Sequence, residues 1–186
     1  RSIDSGLTWI PIAIGGAPSF TSPHVDHHGA AFDANGKFLD GDDGGIYRLD
    51  DPSLITWSNL NGNLGTIQFE GIGLHPTDPN KAIGGTQDNG TDLFTGSVVW
   101  TMTDGGDGGF AKFSQTNGNR AYHQIPVASA GPTDFFRRSD TGGSAPWTVK
   151  TADITTAEPQ SSSTQKFYAP FVVSPINGDR VLYGTK

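Results

Sequence analysis

The chain has 186 residues, a formal net charge of −7, no Cys and 26 Gly. Disulfides and thiolate metal sites are therefore excluded, and the 12 Lys and Arg are too scattered to form the basic patch that nucleic acid or an anionic membrane needs. Gly at roughly twice ordinary usage, with no Gly- and Pro-free window holding a helical apolar stripe, predicts an all-β chain of short strands and tight turns.

In chain order, "SIDSGLTW" at 2–9 opens with a turn in which Asp4 would cap amides, Gly6 would supply a positive φ and Trp9 would pack between units. "PHVDHHGAAFD" at 23–33 is a polar loop running into a strand. His24, Asp26, His27 and His28 are its candidate binding residues. Extended alternation would set Asp26 and His28 on one side, where they could hold a divalent metal, or pair a carboxylate with an imidazole for acid–base work. They could equally satisfy loop amides. "AAFDANGKFLDG" at 30–41 reads as strand, turn, strand. "DGDDGG" at 40–45 and "DGGDGG" at 104–109 join clustered carboxylates to flexible glycines, which makes Asp42 and Asp104 candidate Ca²⁺ ligands, although neither stretch has EF-hand spacing.

Further along, Gln68, Phe69 and Glu70 precede the next strand. "GLHPTDPNKAIGG" at 73–85 repeats the strand, turn, strand plan, and "GGTQDNGTD" at 84–92 is a hairpin with Asn89-Gly90 at its tip. Gln87, Asp88 and Asn89 are candidate binding residues there, and Asn89 also starts an N-x-T sequon. The plan recurs at 111–123 and 172–184, with a polar insert, expected to be mobile, at 155–165.

Trp occurs only at 9, 57, 100 and 147, at intervals of 48, 43 and 47. Four short strands in 40 to 50 residues is the measure of a β-propeller blade, with a β-sandwich as the competing fold. The expected layout is a single propeller region over 1–186. It has a partial blade at 1–20, blades at about 21–65, 66–105 and 106–155, and a partial blade at 166–186. About four blade equivalents are present. Arg1 is not a natural start, so a fragment of a longer chain, completed by further blades or a second copy, is expected. In up-and-down blades the turns alternate between two faces. The His cluster, Asp43, Glu70, Asp88 and Asp107 should share one face, opposite Asp4 and Asp140. That face is the expected ligand surface.

The S-x-D-x-G-x-T-W pattern at 2–9, with a stretched copy at 138–147 and a degenerate one at 47–57, resembles the Asp-box of bacterial BNR-repeat propellers. That group is sialidase-like and glycosyl hydrolase-like. The resemblance implies a propeller fold with Asp-box turns between third and fourth strands. "DDGGIYR" at 42–48 is similar to the D-x-GG-x-YR stretch of xyloglucan-active endoglucanases, which implies a catalytic carboxylate at Asp43. A glycosidase needs a second carboxylate across the scissile bond. Glu70, Asp107 and Asp26 are the candidates. A true sialidase is disfavoured, since "HQIP" at 123–126 lacks the Arg of that family's strand. Two functions stand: an exported, glycan-facing glycoside hydrolase-like propeller, or a non-catalytic scaffold or adhesion module binding glycan or a surface protein, with Ca²⁺ stiffening its loops.

Overall fold

The structure is a computed structural model and describes residues 1–13, 22–154, 161 and 163–185. Most of the 155–165 insert lies outside the described residues. The fold is all-β, built from antiparallel sheets whose strands follow one another in sequence order, the blade unit of a β-propeller. Two compact units divide the chain, Arg1–Thr66 and Ile67–Lys186.

The first unit holds one sheet of β1 (His27–Phe32), β2 (Phe38–Asp42), β3 (Gly45–Asp51) and β4 (Thr56–Asn59), in that spatial order. Pairing of Phe38 with Leu49 and of Leu49 with Trp57 puts all three on one face, because directly paired residues project to the same side. With Tyr47 and Ile12 they form the unit's apolar core. Trp57 Nε1 donates to Ile12 O at 2.7 Å, which ties the N-terminal segment onto that face.

The second unit stacks three sheets. The first is β5 (Phe69–Leu74), β6 (Ala82–Thr86), β7 (Gly90–Phe94) and β8 (Thr101–Asp104). The next is β9 (Ala111–Phe113), β10 (Ala121–Gln124), β11 (Phe136–Ser139) and β12 (Thr148–Val149). The last is the pair β13 (Phe171–Val173) and β14 (Val181–Tyr183). Ile83 and Leu93 of the first sheet pack on Ala111, Phe113 and Ala121 of the second. Tyr122 and Phe136 of the second pack on Phe171 and Tyr183 of the third. Burial of such faces contributes roughly 25 cal/mol per Å² of apolar surface. A four-residue helix, α1 (Val127–Ala130), interrupts the β10–β11 connection between Pro126 and Gly131.

Three of the four Trp occupy matching places. Trp57 lies in β4, while Trp100 and Trp147 immediately precede β8 and β12. Trp9 departs from the expectation of burial, being 74% exposed. Its turn closes on itself: Asp4 accepts from the Thr8 amide at 2.9 Å and the Thr8 hydroxyl at 2.5 Å, and Trp9 Nε1 donates to Gly6 O. Those Thr8 bonds hold the Asp4 carboxyl at about 2. The copy at 138–147 works differently. Asp140 pairs with Arg120 and Arg138, and the hydroxyls of Ser139 and Thr141 bridge the turn to Ser144 O instead.

Candidate functional site

Register decides which loops share an end of each sheet. In the first unit His27 pairs with Asp42, so the start of β1 and the β2–β3 turn lie together. In the second unit Phe69 pairs with Thr86 and Thr91 with Asp104, which brings Glu70, the 87–89 turn and the start of the "DGGDGG" loop to one end. Asp140 lies at the other end of its sheet, beside Arg120.

The β1–β2 ladder slips between His27 and Gly29, a bulge that aims two consecutive histidines at two different carboxylates. His27 Nδ1 meets Asp40 Oδ2 at 2.6 Å, and His28 Nε2 meets Asp43 Oδ1 at 2.5 Å. His28 is 68% exposed at its side chain, and its hydrogen bond to Asp43 raises its pKa above the ordinary imidazole value. His24 Nδ1 lies 3.3 Å from Val25 O, a local contact. Asp26 takes a positive φ of 60°.

The turn that presents Asp43 is fixed by a residue the sequence reading missed. Asn61 donates from Nδ2 to Gly44 O at 2.7 Å and accepts the Ile46 amide at 2.8 Å. Gly45 has φ +116, and a Cβ there would lie 1.9 Å from Asn61 Oδ1, so only glycine fits beneath that latch. Asp42 Oδ1 caps the Gly44 amide at 2.8 Å. Asp40 and Asp42 are both buried, and burial raises the Asp42 pKa, with a further contribution from the Asp40 charge.

The inner wall of this end of the sheet is a pocket of about 440 Å³. Ile12, Ala13, Phe38 and Trp57 supply its apolar side, and His27, His28 and Asp40 its polar rim. Its size falls in the range of small-molecule sites, as does the combination of aromatic wall and few polar groups.

In the second unit the candidate carboxylates are engaged by the protein itself. Asp107 Oδ1 accepts from the Asp88 amide and from Gln87 Nε2, both at 3.2 Å, while Oδ2 accepts from the Ser129 hydroxyl. Burial opposes its charge, but the contacts with Asp88 and Ser129 more than offset that and keep its pKa below the usual range. Glu70 Oε1 accepts from Gln68 Nε2 at 2.6 Å. Gln87 also accepts from the Tyr168 hydroxyl, and Asn89 Nδ2 folds back to Gln87 O at 3.0 Å. These bonds tie the 87–89 hairpin to Asp107 and Tyr168.

Asp104, a candidate Ca²⁺ ligand, is engaged by neighbouring side chains. Its Oδ2 accepts from Arg137 at 2.7 Å and pairs with His123 Nε2 at 2.8 Å. Glycines in "DGGDGG" serve close packing: a Cβ on Gly108 would lie 2.0 Å from Gly90 O, and one on Gly109 2.0 Å from Gln124 Oε1. His123 itself is fully buried, its Nδ1 2.9 Å from Thr91 Oγ1 and its ring 4.4 Å from Trp147. Burial lowers its pKa despite Asp104, which leaves a neutral, structural imidazole.

No protein-family model matches the sequence, and no curated protein matches it. Among solved structures, the chain is similar to an ancestral GH74 enzyme at 15% identity and a TM-score of 0.40, over 83% of this chain and 22% of that one. It is also similar to YCF48 from Cyanidioschyzon merolae at 13% identity and a TM-score of 0.39, over 86% of this chain and 48% of that one. The chain therefore spans less than half the length of either protein. Neither likeness bears on what this chain binds.

Proposed function

We propose that the protein is a non-catalytic, glycan-binding module of Asp-box propeller type, acting outside the cell. The carrying observation is the first-unit pocket, with Trp57 and Phe38 on one wall and His27, His28 and Asp40 at its rim. A sugar ring has an apolar C–H face and a hydroxyl edge, which such a wall and rim match in turn. Asp107, a candidate catalytic carboxylate, spends both oxygens on the Asp88 amide, Gln87 and Ser129, which supports binding over cleavage, since a catalytic carboxylate must meet substrate with a lone pair or proton to give. The test is titration of a panel of neutral oligosaccharides followed by Trp fluorescence. Binding is expected for the native protein and a loss of at least tenfold for Phe38→Ala; a flat titration across the panel contradicts the reading.

A second reading rests on the exposed His28–Asp43 pair, which has the geometry of an oriented acid–base couple. On that reading the protein is glycoside hydrolase-like, and Asp43→Asn abolishes release of reducing ends while leaving binding intact.

A further inference from the structure

We infer that the polar rim of the first-unit pocket, where it adjoins the buried Asp42 at the end of β2, is a divalent metal site, with one ring nitrogen of His27 and one carboxylate oxygen each of Asp40 and Asp42 as ligands. These atoms all lie within 4.8 Å of one another. The inference does not depend on a glycan being the ligand of the pocket.

Proximity of acids alone would not establish such a site. The second observation is Asp42, only 8% exposed, whose Oδ2 is buried without a hydrogen-bond partner among the described residues. The Gly44 amide occupies Oδ1 and leaves Oδ2 open. A buried carboxylate oxygen with no donor is costly, and proteins place one where it is paired or coordinates an ion. The His24 amide also reaches the Asp42 carboxylate and its imidazole lies nearby, but no side chain donates to Oδ2. Lys37 and Arg48, the basic residues of this sheet, both bond Asp50. Two buried carboxylates and one half-exposed imidazole thus meet at the end of β2.

The donor set selects the ion. Zn²⁺ accepts mixed nitrogen and oxygen ligands at about 2.0–2.2 Å and in open sites takes three protein ligands plus an exchangeable position. Ca²⁺ wants six to eight oxygens, which this corner does not offer. Ligands on one Zn²⁺ sit roughly 3.3 Å apart, so modest side-chain rotation closes the present spacing. If Nδ1 is the coordinating nitrogen, the His27–Asp40 hydrogen bond of 2.6 Å opens and its proton leaves on binding. His27 and Asp40 also line the pocket, which gives the ion an access route and turns the fourth position toward it. The ion would clamp β1 to the end of β2 at the bulge, where the ladder is irregular.

The test uses the full chain, freed of metal by chelator, and Zn²⁺ alone as probe. Calorimetry should show one saturable Zn²⁺ per chain and at least tenfold weaker Ca²⁺ binding. Asp42→Asn and His27→Gln should each weaken Zn²⁺ at least tenfold, while His28→Ala should leave it within about twofold. No saturable binding overturns the site, as does binding that survives Asp42→Asn or fails with His28→Ala. X-ray absorption on the native protein covers the case in which a variant fails to fold. A shell of one imidazole and oxygens supports the site; a shell of two imidazoles, or of water alone, overturns it.

Discussion

His28 in the first unit meets Asp43 at 2.5 Å, and His123 in the second meets Asp104 at 2.8 Å. The pairs have the same chemistry and opposite surroundings. Around His123 the protein supplies every partner: Thr91 at Nδ1, Asp104 at Nε2, Trp147 against the ring, and Arg137 to neutralise the aspartate. Around His28 it supplies Asp43 and leaves the rest of the ring to solvent. A His–Asp distance therefore says little about role. What decides is whether the remaining donors and acceptors are satisfied from within.

Exchanging each histidine for alanine should break that comparison most visibly. His123→Ala removes a buried ring and strands the Thr91 hydroxyl, at a cost of about 3–4 kcal/mol. His28→Ala, at an exposed position, should leave stability nearly unchanged. Denaturant unfolding of both variants reads the difference; equal costs would mean that burial does not separate the two pairs.

Asp92 extends the comparison to a carboxylate. It is 5% exposed, its Oδ2 has no partner among the described residues, and burial pushes its pKa up to about 6. The unfolded chain loses this proton near pH 4 and the folded chain near pH 6, so the native state binds more protons in between and gains stability as pH falls. Asp92→Asn should thus stabilise the protein by roughly 1–3 kcal/mol at pH 7. The gain should shrink toward zero as pH drops from 6 to 4. A gain that does not vary with pH would place its origin elsewhere than in the buried charge.

Much of the architecture was legible in the sequence because it is local. The Pro, Asn, Asp and Gly turns at 75–81, 114–120 and 174–180 lie between paired strands, and the Trp spacing marks the fourth strand of three sheets. The site was legible only in part. The loops that carry His28, Asp43, Asp88 and Asp107 follow from strand alternation, but the partners of those residues do not. Tyr168 reaches Gln87 across 81 positions, His123 reaches Thr91 across 32, and Asn61 reaches Gly44 across 17. Tertiary packing creates these pairings, and no local spacing encodes them. Asp40 was overlooked because strand alternation alone does not reveal that a charged residue faces inward, and α1 because a single turn leaves no periodicity to detect. Trp9 shows the converse: a complete motif makes its own turn without burying its aromatic ring.

Proton titration gives the smallest effect and the sharpest contrast. By NMR of the imidazole C–H signals, His28 should titrate above 6.5, and Asp43→Asn should bring it back toward that value. Its contribution to stability is present below pH 6.5 and is lost as pH rises through the raised folded value. His123 should titrate below 6.5, so its contribution is present above 6.5 and is lost as pH falls. Two histidines titrating together would contradict the assigned surroundings.

Binding without cleavage is the central claim, and one paired measurement addresses it. Oligosaccharides that bind the native protein are incubated with it at binding saturation, and reducing ends are counted over time beside Asp43→Asn. The expected result is saturable binding with no release of reducing ends by either protein. Release by the native protein that disappears with Asp43→Asn, in a variant of unchanged stability, would contradict the scaffold reading and make His28 and Asp43 catalytic.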